Sequence, residues 1–177
     1  IGPSGLLLAP LGPLGAEEAR AGFAEQAQGL VEGGADLIWI ETMSDLAEVM
    51  AAVAGVREVS AEIPIMVTMT FDTKGRTMMG VRPEQAVQAL APLGVAALGA
   101  NCGNGPAEML DVIGKMAATG TTLPLIAKAN AGMPTLVDGR ATYDATPGAM
   151  AQYARDVRAR GAHIIGACCG STAGHVA

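Results

Sequence analysis

The chain has 177 residues, half of them hydrophobic, with a formal net charge of −6 and a pI near 4.8. This is enough for one ordinary globular domain, and the acidic balance argues against a nucleic-acid or anionic-membrane surface. No apolar run approaches the ~20 residues that span a bilayer, no signal peptide is visible, and three cysteines, two of them adjacent, are a poor basis for a secreted disulfide framework, so a reducing, cytoplasmic setting is expected.

Residues 1–15 are rich in glycine and proline and read as a loop. A helix is expected over 16–33, with Phe23, Ala27, Leu30 and Val31 on one face and Gly33-Gly34 at its end. The run from Asp36 to Ile40, ending at Glu41, predicts a parallel strand buried on both faces. Asp45 and Glu48 look like a capping pair for the next helix, whose inner face is read as Leu46, Val49, Met50 and Val53. Residues 64–70 are the next strand, and Pro83 opens a helix carrying Val87 and Leu90. A strand over 96–100 leads to Cys102. Pro106 opens a helix with Met109, Leu110, Ile113 and Met116 facing in, and a strand follows over 123–129. Thr146-Pro147 starts a helix with Met150, Tyr153, Ala154 and Val157 on its inner face, and a final strand runs over 163–167.

Regular alternation of strand and helix means a parallel sheet. Five strands allow either an open doubly wound sheet or part of a (β/α)₈ barrel. Glu41, Thr70, Asn101, Cys102, Asn130, Cys168 and Cys169 all fall at C-terminal strand ends. Drawing polar groups from several strand ends at one face is the habit of a barrel, whereas an open sheet concentrates its site at one switch point.

Every cysteine lies where a predicted strand runs out into a glycine-rich loop: Gly99-Ala100-Asn101-Cys102-Gly103 and Gly166-Ala167-Cys168-Cys169-Gly170. Three thiols from two strand ends are the ligand set of a catalytic zinc site with one position open. The bland alternative is that free cysteines are small buried hydrophobes. Their joint placement favours zinc, and a Cys168–Cys169 disulfide is read as oxidative damage. In a regular strand Cys168 and Cys169 would point to opposite faces. Both can serve one metal only if the strand ends near Ala167 and the backbone turns, a freedom that Gly166 and Gly170 supply.

These strand ends resemble the zinc signature of the homocysteine S-methyltransferase family, which includes betaine–homocysteine methyltransferases and the homocysteine-binding module of cobalamin-dependent methionine synthase. Ile1-Gly2-Pro3-Ser4-Gly5, Ile40-Glu41-Thr42, residues 71–77 and Lys128-Ala129-Asn130-Ala131-Gly132 agree with it, in the family's order and over nearly the whole chain. The resemblance implies a barrel. A complete one needs about 250 residues, so residues 1–177 are expected to be a partial barrel domain covering roughly strands four to eight, with exposed edges that recruit other chains or a second copy.

The resemblance further implies Zn²⁺ on Cys102, Cys168 and Cys169, and transfer of a methyl group to the homocysteine thiolate to form methionine. Glu41 would hold the substrate's amino group rather than merely cap the following helix. Asn101 and Asn130 are the other candidate substrate-binding residues, although strand-end asparagines also serve loop backbone. The methyl donor stays open among betaine, methylcobalamin or methyltetrahydrofolate, and S-methylmethionine. A betaine user needs an aromatic cage, and the only aromatics are Phe23, Trp39, Phe71, Tyr143 and Tyr153. Two competing readings are a Schiff-base lyase using the apolar-flanked Lys128 and an inactive metal-binding barrel fragment. His163 and His175 are read as structural.

Overall fold

Strands and helices alternate in the computed structural model, which describes residues 1–177. In chain order they are α1 (Ala16–Glu32), β1 (Ile38–Met43), α2 (Leu46–Val59), β2 (Ile65–Met69), α3 (Pro83–Leu90), β3 (Ala97–Cys102), α4 (Pro106–Ala117), β4 (Leu125–Ala129), β5 (Thr135–Val137), β6 (Arg140–Thr142), α5 (Pro147–Ala159), β7 (Ala162–Ala167) and α6 (Ala173–Val176). Five strands form a parallel sheet in the order β1-β2-β3-β4-β7. All its pairs are parallel, and the register sets Ile40 beside Val67, Val67 beside Leu98, Leu98 beside Leu125 and Leu125 beside Ala162.

The central strands β2, β3 and β4 are nearly wholly buried. The strand ending at Glu41, expected to be buried on both faces, is buried on one: Ile38, Ile40 and Met43 are covered while Trp39 and Glu41 are only half-buried. β7 is likewise only partly covered after Ala162, because both are outer strands. Ile38, Ile40, Ile65, Val67, Leu98, Leu125 and Ile126 are all removed from water, each burial contributing about 1.5–3 kcal/mol before entropy is counted. Helix starts follow the sequence. Asp45 accepts from Ala47 N at 2.9 Å and Thr146 from Ala149 N at 3.2 Å, each satisfying a donor the first turn leaves free. Gly55 sits inside α2 because α1 crosses there: a Cβ would stand 2.6 Å from the Arg20 carbonyl oxygen.

Three further expectations change. The sequence pattern puts Leu30 and Met50 on inner faces, but they are 40% and 43% exposed. The buried stripe of α1 is Ala19, Phe23 and Ala27, one residue per turn at spacing four, and Leu30 lies off it. In α2 the buried set includes Val49, Ala52, Val53 and Val56, which leaves Met50 about 100° round from Val49. Glu48 does not close a capping box on α2. It is buried, and its carboxylate accepts from Ser4 N at 2.7 Å and Ser4 Oγ at 2.6 Å, pinning the N-terminal loop.

The hairpin β5–β6 adds an antiparallel ribbon between β4 and α5. Its turn is Asp138-Gly139, both at positive φ, a dipeptide suited to a two-residue hairpin. The outer strands of the sheet are β1 and β7. Beside β1 lies one further residue: Ile1 N donates to Trp39 O at 2.8 Å and Glu41 N donates to Ile1 O at 2.9 Å. That is the bond pattern of a parallel bridge opposite Ile40. No helix is long and apolar enough to cross a membrane.

Candidate metal centre

The functional candidates meet at the C-terminal edge of the sheet. Cys102 is the last residue of β3, and Cys168 and Cys169 follow the end of β7. Register aligns Cys102 with Ala129 and Ala129 with Ala167, so the strands run out at one level. The Cys102 sulfur lies 3.0 Å from that of Cys168 and 3.9 Å from that of Cys169, and all three lie within 4.8 Å of one another. No other group of three histidine, cysteine or acidic side chains comes together in this way.

Local backbone explains how two adjacent cysteines reach one point. Cys168 N still donates to Ala129 O at 2.9 Å, continuing the ladder, whereas Cys169 N leaves it and donates to Asn130 Oδ1 at 3.0 Å. Ala131 N in turn donates to Cys169 O at 2.9 Å. The chain thus turns at the cysteine pair. Cys102 turns too, in the left-handed region at φ 59, followed by Gly103 at φ 70. For a non-glycine residue that conformation costs roughly 1–2 kcal/mol, and such strain persists where surrounding contacts fix it.

Asn101 and Asn130 are the fixing contacts, and both are buried. Asn101 Oδ1 accepts from Thr42 N at 2.9 Å, and its Nδ2 donates to Thr42 Oγ1 at 2.8 Å. The same amide nitrogen lies 3.5 Å from the Cys102 sulfur and 3.9 Å from the Cys168 sulfur. Thr42 is itself left-handed, at φ 66. Asn130 Nδ2 donates to Gly103 O at 2.8 Å, so Asn130 ties the loop after β3 to the Cys169 turn. Both side-chain amides are therefore engaged by protein groups. Glu108 extends the bracing, accepting from Asn104 N at 2.9 Å and Gly75 N at 3.2 Å.

These contacts skip strands. Thr42 and Asn101 meet over the top of β2, and Cys102 and Cys168 meet past β4. Glu41 Oε2 accepts from Lys128 Nζ at 2.8 Å, although β1 and β4 are three strand spacings apart, about 14 Å in a flat sheet. The sheet is curled with its polar side chains on the concave side.

Electrostatics divides the thiols into unequal roles. Cys168 is pulled down to about 5, first by the hydrogen bond from Cys102 and then by the Cys169 backbone N–H and Asn101, against partial burial. Cys102 is pushed up by donating that bond and by desolvation.

The residues fit zinc. Zn–S bonds of about 2.3 Å in a tetrahedron separate sulfurs by about 3.8 Å. The Cys102–Cys169 pair already stands at that spacing, and Cys102 and Cys168 need to part only slightly. All-sulfur donor sets select soft or borderline metals over magnesium or calcium. Cys169 is exposed, leaving an approach for a fourth ligand.

The other expected residues fall outside this cluster. His163 Nδ1 accepts from Leu125 N at 3.2 Å, near the start of β7 at the other end of the sheet. His175 binds Thr172 N at 3.0 Å and stands 3.0 Å from Ala145 O, holding α6 against the entry to α5. Phe71 and Tyr153 are buried. Tyr143, which the sequence did not place at the site, lies against Gly170 beside Cys169.

Fold and site define an α/β protein with a parallel sheet and a three-thiol, metal-competent centre at its C-terminal edge. The homocysteine S-methyltransferase family model matches residues 1–177, and the chain belongs to that family. It is 34% identical over 181 residues to a methionine synthase of Mycobacterium leprae, covering 99% of this chain and 15% of that protein. A methionine synthase of Mycobacterium tuberculosis is 35% identical over 162 residues, covering 89% of this chain and 14% of that protein. The chain thus spans about a seventh of these curated relatives. Among solved structures, the apo form of the homocysteine methyltransferase MmuM from Escherichia coli superposes with a TM-score of 0.76 at 24% identity, over 97% of this chain and 56% of that one. Its metallated form gives 0.65 at the same identity, over 84% and 48%. These likenesses establish the shared fold.

Proposed function

We propose that the chain forms the homocysteine- and zinc-binding part of a methyltransferase that makes methionine. The observation that carries this reading is the convergence of the Cys102, Cys168 and Cys169 sulfurs from two strand ends. When bound, zinc supplies one open coordination position and favours the deprotonated form of a thiol that reaches it. Cys102, Cys168 and Cys169 would hold the metal, and Asn101 and Asn130 would keep the thiols at the sheet edge. Outer-shell partners of this kind matter nearly as much as the ligands themselves.

Glu41 is assigned the substrate's ammonium group. Its Oε2 is taken by Lys128, and its Oε1 has no partner and is open to one. The homocysteine sulfur gives up its proton, its electron pair forms the new S–CH₃ bond, and the donor's own bond to that carbon breaks. Two aromatics stand near the proposed site, Tyr143 beside Cys169 and Trp39 against Lys128 of the Glu41 pair.

The same reading makes the five parallel strands part of a (β/α)₈ barrel. The curl of the sheet supports it, as does the bridge from Ile1 to β1. A Schiff-base lysine needs its amine free to attack a carbonyl, whereas the Lys128 ammonium is ion-paired with Glu41 and stands 4.5 Å from the centre of the Trp39 ring.

Metal removal tests the reading. Full-length protein stripped by a chelator is expected to stop forming methionine from homocysteine with whichever donor class it uses, and to recover with added zinc. Undiminished methionine formation at zero zinc would refute it.

A further inference from the structure

Lys128 is not needed to hold metal, yet its placement is closely specified. Its stem starts against Gly166 of the neighbouring β7, where a Cβ would stand 3.1 Å from Lys128 Cγ. Its ammonium then reaches both Glu41, at 2.8 Å, and the face of Trp39. Trp39 is held in turn, its indole Nε1 donating to Thr68 Oγ1 at 3.2 Å. The pair is only part-buried, with side chains 21% and 41% exposed for Lys128 and Glu41, so a ligand can reach it.

A lone half-buried carboxylate prefers a ligand with net positive charge. It attracts an ammonium and repels any carboxylate the same ligand carries. An amino-acid head group holds both charges a few ångströms apart and sums to zero. Lys128 cancels the charge of Glu41 beyond contact range and sets a cation beside it. A simple amine gains nothing from that cation and is repelled by it.

We propose that Lys128 is a specificity-determining residue: paired with Glu41, it makes the site accept the joined ammonium and carboxylate of an amino-acid thiol and discriminate against a plain aminothiol. The inference rests on the assignment of Glu41 to the substrate ammonium. It does not require Lys128 to take part in chemistry.

The test compares homocysteine with 3-mercaptopropylamine, which is homocysteine without its carboxylate. Binding of each to full-length, zinc-loaded protein is measured by calorimetry for wild type, Lys128→Met, Lys128→Arg and Glu41→Gln. Trp39 is the only tryptophan in this chain, and its emission gives a local signal wherever the full-length protein has no other. The preference for homocysteine over the amine is expected to fall about tenfold in Lys128→Met, the effect of one partly screened charge a few ångströms away. It should return in Lys128→Arg, which keeps the charge. A merely structural role would weaken both ligands together and leave their ratio alone. An unchanged ratio in Lys128→Met, with both ligands weakened by Glu41→Gln, overturns the role of Lys128 alone. If Glu41→Gln weakens neither ligand, the Glu41 assignment fails and this inference fails with it. Should Lys128→Met not fold, Lys128→Gln carries the same comparison.

Discussion

Replacing Cys102 with serine is expected to cost the protein its zinc and its methyl transfer, while the fold survives. Cys102 contributes one of three sulfurs, and it is the one that links the β3 end to the β7 end. Apparent binding energies of roughly 10–16 kcal/mol for four-ligand structural zinc sites put each ligand at about 3 kcal/mol, or two orders of magnitude in affinity. Serine keeps the volume but offers a hydroxyl whose deprotonation is far harder than that of a thiol. The fold should tolerate the change because Cys102 is only partly buried, at a strand end. Zinc stoichiometry after dialysis against a weak chelator, read beside the thermal transition, checks both halves. Wild-type zinc retention in the variant would mean the three sulfurs do not act together.

Replacing Glu41 with glutamine is expected to weaken homocysteine binding about tenfold to a hundredfold and to leave zinc in place. The change removes a charge-assisted hydrogen bond worth about 1.5–3 kcal/mol. It also leaves the Lys128 ammonium without its carboxylate beside the Trp39 ring, and that cation then faces the substrate's ammonium. Zinc should stay because Glu41 is not among the side chains that converge on the thiol cluster. Titration of zinc-loaded protein with homocysteine checks this. Unchanged affinity would leave Glu41 with a structural role only.

Much of this site was legible because strand ends are marked in the chain. Apolar runs stop at Glu41, at Asn101-Cys102 and at Ala167-Cys168, each beside glycine or a polar residue, and the structure ends its strands within two residues of those points. The turn at the double cysteine was readable for the same reason, since two neighbours in a regular strand cannot face one point. A barrel's curvature was expected, but the particular contacts it makes were not readable. Asn101 reaches over β2 to Thr42, 59 residues away, and Lys128 reaches Glu41 across 87. No local pattern encodes such contacts, because they depend on how strongly the sheet curls. The sequence therefore left the strand-end asparagines open between substrate binding and loop bracing, and the structure engages both amides in bracing the thiol loops. The hairpin is a different kind of miss. Asp138-Gly139 carries a known turn signal, but strands of three residues are too short for alternation to show. Leu30 and Met50 were misplaced because an apolar residue beside a buried stripe looks like part of it until the covering helix is known.

The central claim is that Cys102, Cys168 and Cys169 together hold one zinc ion with a position left for the substrate sulfur. X-ray absorption at the zinc edge of the full-length protein tests this most directly. The expected result is three sulfur neighbours at about 2.3 Å and one lighter oxygen or nitrogen neighbour, changing to four sulfurs when homocysteine is added. A shell with fewer than three sulfurs, or one that homocysteine leaves unchanged, would contradict the account.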